Sequence, residues 1–249
     1  MDIPAYLERI GFDGPLDVSL DTLRALHLAH LCTVPFENLD IHLGRPLSLD
    51  EPALFDKVVT RRRGGLCHEL NGLFCALLRE LGFRVTMLSA ETARQSGGFS
   101  PAYDHLALRV ELDEPWLADV GFGNGFRLPV RLNDGADQPQ GDSAYLIIPD
   151  GGYRVLLRSD QGGDWTPQYR FTLQPHALAD FANRCRFHQT SPESHFTQGR
   201  ICALATPEGR LTLSGTRLIE TTAAGRTESD LAGETEYAAA LRARFGVVE

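Results

Sequence analysis

The sequence predicts an α+β fold: a helical N-terminal part, a central antiparallel sheet or small barrel, and a mixed C-terminal part. Two changes in the spacing of apolar residues carry that reading. Up to about Gly82 they recur with the period of a helix, and from Phe83 to about Phe171 they alternate in short runs separated by Gly, Pro, Asp and Asn. The 249 residues, 43% of them hydrophobic, suffice for a substantial core.

In chain order, Leu23, Leu26, His27 and His30 share one helical face. Leu70, Leu73, Phe74, Leu77, Leu78 and Leu81 form an i, i+3, i+4, i+7 stripe, which Gly82 terminates. Strands are expected over 84–88, 105–111, 116–120, 144–148 and 153–158. A strand pair, 210–213 and 216–221, and a terminal helix over 235–245 closed by Gly246 complete the chain. Boundaries near 83 and 190 divide it into 1–83, 84–190 and 191–249, although no linker, repeat or low-complexity segment marks them.

Thirty-three acidic against 24 basic residues give a formal charge of −9. Phosphate binding needs clustered positive charge, so nucleic acid is not an expected partner. Residues 1–8 carry no basic segment leading into an apolar one, and no stretch approaches a membrane span, so a cytoplasmic protein without membrane association is expected. Cysteines at 32, 67, 75, 185 and 202 are scattered with no CxxC pair, which suits neither a disulfide framework nor a structural zinc site. His27 and His30 lack further spaced ligands, and His68-Glu69 has Gly72 where a zinc-protease motif needs its second histidine; no metal is expected.

The stretch RRRGGLCHELNGLF, residues 61–74, sets Cys67 at the start of the striped helix. There the unpaired N–H groups and the helix dipole favour a thiolate. Gly64 and Gly65 can adopt φ > 0 and leave N–H groups facing a developing oxyanion. Two readings stand at this point: a small buried hydrophobe, which is the commoner case for a cysteine, or an activated nucleophile.

A cysteine nucleophile needs a base, and the base needs an orienting group. His105 opens the run His105-Leu106-Ala107-Leu108-Arg109-Val110-Glu111, so His105 and Ala107 share one face and Leu106, Leu108 and Val110 the other. If a three-residue loop, 112–114, joins this strand to the next, residue 111 faces 115 and Asp119 faces Ala107. Asp119 then becomes the diagonal neighbour of His105. A slip of one residue would turn it away, and a solvent-facing aspartate stands beside this pairing as the other reading.

Four features carry a family resemblance: RRGGLCHELNGLF at 62–74, VPFENL at 34–39, the strand start His105-Leu106, and DVGFG at 119–123. Together, in this order, they resemble the arylamine N-acetyltransferase family, with similarity running from Tyr6-Leu7-Glu8-Arg9-Ile10 and weakening toward the C-terminus. The resemblance implies a helical bundle, a β-barrel and an α/β lid, with a catalytic core similar to the papain-like cysteine enzymes. It places a Cys-His-Asp triad on Cys67, His105 and Asp119. The implied reaction takes an acetyl group from acetyl-CoA through an acetyl-cysteine to an aromatic amine or hydrazine, or to the oxygen of an N-arylhydroxylamine, leaving coenzyme A. Phe122 is implied to line the acceptor pocket, and Phe36 is a second wall or a packed core ring. Gly121-Phe122-Gly123-Asn124-Gly125 fits neither the phosphate-loop nor the dinucleotide pattern and is read as a tight, open turn near the thioester, with Gly123 as a substrate-binding candidate and CoA contact left open.

Glu37 and Arg63 are expected to pair and to position the cysteine loop, while Arg184, Cys32, Cys75, Cys185 and Cys202 are read as structural. Three rival readings remain: an amide synthase of the same fold using a carrier-bound acyl chain, a cysteine hydrolase, and a binding module with an inert Cys67.

Overall fold

The computed structural model describes residues 1–132 and 135–248. The N-terminal part contains α1 (Ile3–Ile10), α2 (Leu20–Thr33), the short strand β1 (Phe36–Glu37), α3 (Leu39–His42), α4 (Glu51–Phe55) running into a π turn at Asp56–Thr60, and α5 (Cys67–Glu80). Asp2 and Ser19 accept backbone N–H groups at the starts of α1 and α2, satisfying donors that the helices leave open.

The strands β2 (Arg84–Thr92), β3 (His105–Glu111), β4 (Pro115–Ala118), β5 (Val130–Arg131), β6 (Gln138–Gln140), β7 (Ser143–Asp150), β8 (Tyr153–Asp160) and β9 (Thr166–Phe171) follow. They form one antiparallel sheet in the order β5-β4-β3-β2-β9-β8-β7-β6. Its two edge strands meet through side chains. Gln138 exchanges hydrogen bonds with both backbone groups of Arg131 at 2.7 and 3.0 Å, and Gln140 does the same with Leu128 at 2.9 and 2.7 Å. These amides imitate a strand ladder and bring the sheet to a nearly closed barrel.

A 3-10 turn (Leu178–Phe181), α6 (Ala182–Thr190) and α7 (His195–Gln198) lead into β10 (Ile201–Thr206), β11 (Gly209–Ser214), β12 (Arg217–Thr222) and β13 (Gly225–Asp230), and α8 (Glu234–Phe245) ends the fold. This second sheet has the order β1-β10-β11-β12-β13, with Phe36 opposite Ala203 and Glu37 opposite Cys202. The C-terminal sheet therefore takes its first strand from the N-terminal part.

Strand alternation sorts the core. Leu106, Leu108 and Val110 join Leu70, Leu73 and Phe74 between helices and sheet, whereas Ala107 faces the barrel interior with Leu88, Tyr169 and Phe171. Each such large apolar side chain contributes roughly 1.5–3 kcal/mol by leaving water. A third cluster packs Tyr237, Leu241 and Phe245 of α8 on Cys202, Leu211 and Leu213.

β3 has the expected bounds, 105–111, and Gly82 (φ 94°) follows the C-terminal cap of α5. The strand expected over 116–120 is corrected: its ladder ends at Ala118, because the polar groups of Asp119 are engaged elsewhere. β10 and β13 escape an alternation test because the first is largely buried and the second is exposed throughout. Among the described residues no helix is long and apolar enough to cross a membrane.

Candidate active site

Cys67 is the first residue of α5 and is only 4% exposed. The two glycines before it serve close packing. A Cβ on Gly64 would lie 1.9 Å from the Pro35 carbonyl oxygen, and one on Gly65 2.7 Å from Glu69 Oε2. Neither has positive φ, and the Gly65 N–H donates to Pro35 O at 3.3 Å. The expectation that Gly65 presents a free N–H to an oxyanion is thereby corrected: β1 uses that group to hold the loop.

Below the loop lies a buried ionic cluster. Arg63 donates to Glu37 Oε1 at 2.9 Å and reaches Asp40 Oδ1 at 3.1 Å, while Lys57 Nζ lies 2.9 Å from Asp40 Oδ2 and 2.8 Å from Glu69 Oε1. The other oxygen of Glu69 accepts the Leu66 N–H at 2.9 Å, directly before the cysteine. The expected Glu37–Arg63 pair is present as part of this larger set. Burial disfavours a charge on Lys57, and Glu69, Glu37 and Asp40 outweigh it. Lys57→Met would strand Asp40 and Glu69, so a loss of about 3–5 kcal/mol in urea unfolding is expected; an unchanged midpoint would show that these carboxylates tolerate losing the lysine.

The hairpin places the next two groups. Glu111 faces Pro115 and Leu108 faces Ala118, the register expected from a three-residue loop. Continuing it sets Asp119 across from Ala107. His105 Nε2 donates to Asp119 Oδ2 at 2.6 Å, and His105 lines the same cleft as Cys67. Asp119 Oδ2 also accepts from Tyr169 Oη at 3.0 Å, while Oδ1 accepts from Asn71 Nδ2 at 2.8 Å and the Gly121 N–H at 2.9 Å. Its own N–H donates to His27 Nε2 at 3.0 Å. Every acceptor site of the carboxylate that matters for orientation is thus pinned.

Asn71 sits one turn beyond Cys67 and ties α5 to the hairpin through Leu106 O at 2.7 Å and the Val120 N–H at 2.9 Å. His27 is buried and donates from Nδ1 to Arg127 O at 2.8 Å, leaving Nε2 as an acceptor. Burial pushes it down to about 4. His27 is therefore a neutral fixture behind Asp119.

The electrostatics favour an ion pair. Burial alone would push the Cys67 thiol up, but His68 and His105 outweigh it and hold Cys67 well below the usual thiol range. Burial would likewise push His105 down, yet Asp119 and the Cys67 sulfur raise it to about 10. Asp119 is held below the ordinary carboxylate range because His105 and the hydrogen bonds to it overcome its burial. All three directions favour thiolate, imidazolium and carboxylate together.

Cys67 and His105 open on a cleft of about 690 Å³ that also includes Phe36, Phe122 and Gly123. The Phe122 ring stands 5.1 Å from His105 and 5.1 Å from Tyr169. Gly123 has φ 73°, and a Cβ there would meet Phe36 Cδ1 at 3.4 Å. Gly121 is tighter still, since its Cβ would lie 2.7 Å from Cys67 Cα. The structure thus gathers all six residues singled out in the sequence. Three arginines, Arg158, Arg210 and Arg226, line another part of the cleft. Burial and the neighbouring Arg158 and Arg127 push Arg210 down to about 10, a crowding of positive charge that an anion would relieve. Arg184 is structural, donating through Nε to Asp104 Oδ1 at 2.7 Å.

Asn71 was legible in principle, being four residues from Cys67 on one helix face. Tyr169 and His27 carry no local signal; they reach Asp119 only through sheet order and helix packing.

The family model described as N-acetyltransferase matches residues 19–248. An arylamine N-acetyltransferase of Escherichia coli K12 is 39% identical over 212 residues, covering 84% of this chain and 75% of the relative. That of Mycolicibacterium smegmatis is 40% identical over 225 residues, covering 88% and 82%. The solved arylamine N-acetyltransferase of M. tuberculosis superimposes with a TM-score of 0.93 at 36% identity, covering 99% of this chain and 93% of that one. The Mycobacterium marinum enzyme in complex with CoA gives 0.92 at 34% identity, again covering 99% and 93%. With this fold, this cleft and matches along nearly its whole length, the chain belongs to the arylamine N-acetyltransferase family.

Proposed function

We propose that Cys67, His105 and Asp119 form a catalytic triad. It transfers acetyl from acetyl-CoA to the nitrogen of an aromatic amine or hydrazine, or to the oxygen of an N-arylhydroxylamine. The observation that carries this reading is that Cys67 and an Asp119-bound His105 share one cleft with both aromatic and cationic walls. The related enzyme solved with CoA supports the donor, and Arg158, Arg210 and Arg226 suit its phosphates.

Cys67 attacks the thioester carbonyl as a thiolate, and its own N–H at the helix start faces the charge that develops on oxygen. His105 gives its proton to the departing CoA sulfur. The acceptor nitrogen, placed against Phe122, then attacks the acetyl-cysteine while His105 takes a proton from it and Asp119 stabilises the imidazolium. Residues 191–249 act as the lid: Phe196, Ile201 and Ala203 line the cleft and keep water from the acetyl-enzyme. Residues 1–83 supply the nucleophile and 84–190 the base and its carboxylate.

Intact-protein mass spectrometry after brief mixing with acetyl-CoA tests the proposal. One acetyl group on wild type, discharged by an added arylamine, is the expected result. Folded protein that never gains acetyl would overturn it in favour of a carrier-bound donor; discharge at a rate indifferent to amine would favour hydrolysis.

A further inference from the structure

Beyond the triad, a second imidazole stands at the reacting sulfur. His68 follows Cys67 in the first turn of α5 and is fully buried. Its Nε2 lies 2.9 Å from the Tyr103 carbonyl oxygen. A carbonyl can only accept, so Nε2 carries a hydrogen whether the ring is neutral or charged. Nδ1 is then the only site that can gain or lose a proton. Among the described residues it is buried with no hydrogen-bond partner, one residue along the first turn of α5 from Cys67. A bare lone pair sealed in this way is costly, and negative charge on the preceding residue favours a proton there.

We propose that His68 is a second proton holder for Cys67, charged while the sulfur is a free thiolate and neutral once the sulfur is acylated. This rests on the acetyl-cysteine reading above. Burial works against a charge on His68, and the attraction of the Cys67 thiolate, with a smaller one from Cys185, outweighs it, holding the imidazolium well above the usual histidine range. Acylation removes that negative charge and leaves the burial. The other groups around the ring do not replace it. From α6, His188 stacks at 5.8 Å, and Arg184 beside it is engaged with Asp104. The Asp104 carboxylate is shared among Arg184, His188 and Thr92. From β3, His105 is itself a cation in the resting state. From α7, His195 lies beyond His188.

The proton balance is explicit. The thiolate sulfur bonds to the acetyl carbon as the carbon–sulfur bond of the donor breaks, and His105 gives its proton to the CoA sulfur. The proton on His68 leaves to solvent, so the first half-reaction releases one proton per active site. In the second half-reaction the amine's proton goes to His105 and Cys67 departs as thiolate. His68 recovers its proton from water, so full turnover is proton-neutral.

Stopped-flow mixing with acetyl-CoA and no amine, in weak buffer near pH 7 with an indicator dye, reads this directly. Wild type should release about one proton per acetyl group gained, the acetyl being counted by mass spectrometry. His68→Phe keeps the ring's bulk, and His68→Gln also keeps a donor for Tyr103 O; both should acetylate without the release. Capping the sulfur with iodoacetamide needs no thioester, so it separates this proposal from the choice of donor. There the two variants should release one proton fewer than wild type. Equal release from wild type and variants in the iodoacetamide arm would overturn the proposal, whatever acetyl-CoA does.

Discussion

Cys67→Ala is expected to lower kcat/KM for arylamine acetylation by at least about 10⁴-fold, with no acetyl-enzyme detectable by mass. The loss is large because the neighbouring parts serve only this sulfur. His105 and His68 both hold charge against it, and Gly121 presses on its Cα with no space for a side chain. Circular dichroism should show a native fold, since alanine fits a helix start and the core beneath comes from Leu70, Leu73 and Phe74. Retention of even one-hundredth of the activity in a folded variant would mean that another group accepts the acetyl.

Asp119→Asn should cost about 10³–10⁴-fold in kcat/KM, on the scale of orienting carboxylates in other triads. An amide at 119 can keep its oxygen toward Asn71 Nδ2 and the Gly121 N–H. Its NH₂ group must then face His105 Nε2 and Tyr169 Oη, where the native oxygen accepts. His105 Nε2 is driven to accept instead, which puts the ring's hydrogen on the nitrogen facing Cys67 and leaves no base there. The pH profile adds a second signature. In wild type His105 is raised to about 10, with burial opposing and Asp119 the first of the groups that overcome it. The productive ion pair therefore persists from below neutrality until pH rises through about 10. In the variant the alkaline limb should move toward lower pH by a unit or more. Stability follows the same sign: a raised histidine contributes fully below its unfolded value near 6.5, and the contribution disappears as pH rises through about 10. Thermal melts at pH 7 and 10 should converge between wild type and variant at the higher pH. An unmoved alkaline limb would assign that limb to a group other than His105.

The parts of this site that the sequence disclosed are those whose geometry is local. Three loop residues set the β3–β4 register, and the register set Asp119 beside His105. A stripe starting at Leu70 located the helix, and the helix start located Cys67. The parts that stayed hidden depend on distant segments. Tyr169 comes to Asp119 because β9 pairs with β2, a neighbour far back in the chain. Lys57 lies in a π turn, without amphipathic period to mark it, and becomes legible only with Asp40 and Glu69 around it. His68 looked like half of a zinc motif because its partner, the Tyr103 carbonyl, comes from a loop far along the chain. The sequence reads the glycines before Cys67 as able to take positive φ and free an N–H for an oxyanion, but neither has positive φ and what approaches them is the Pro35 carbonyl and Glu69.

The pairing of β1 with β10 also sets an order of assembly during synthesis. Phe36 and Glu37 emerge early and have no strand partner until Ala203 and Cys202 follow. By then α5, β3 and β4 are complete, so the thiolate, the imidazole and the carboxylate can assemble while the wall carrying Phe196, Ile201 and Ala203 is still missing. Pairings this distant in sequence close more slowly than local ones. Under the acetyl-cysteine reading proposed above, an acyl group on a chain lacking that wall would be open to water.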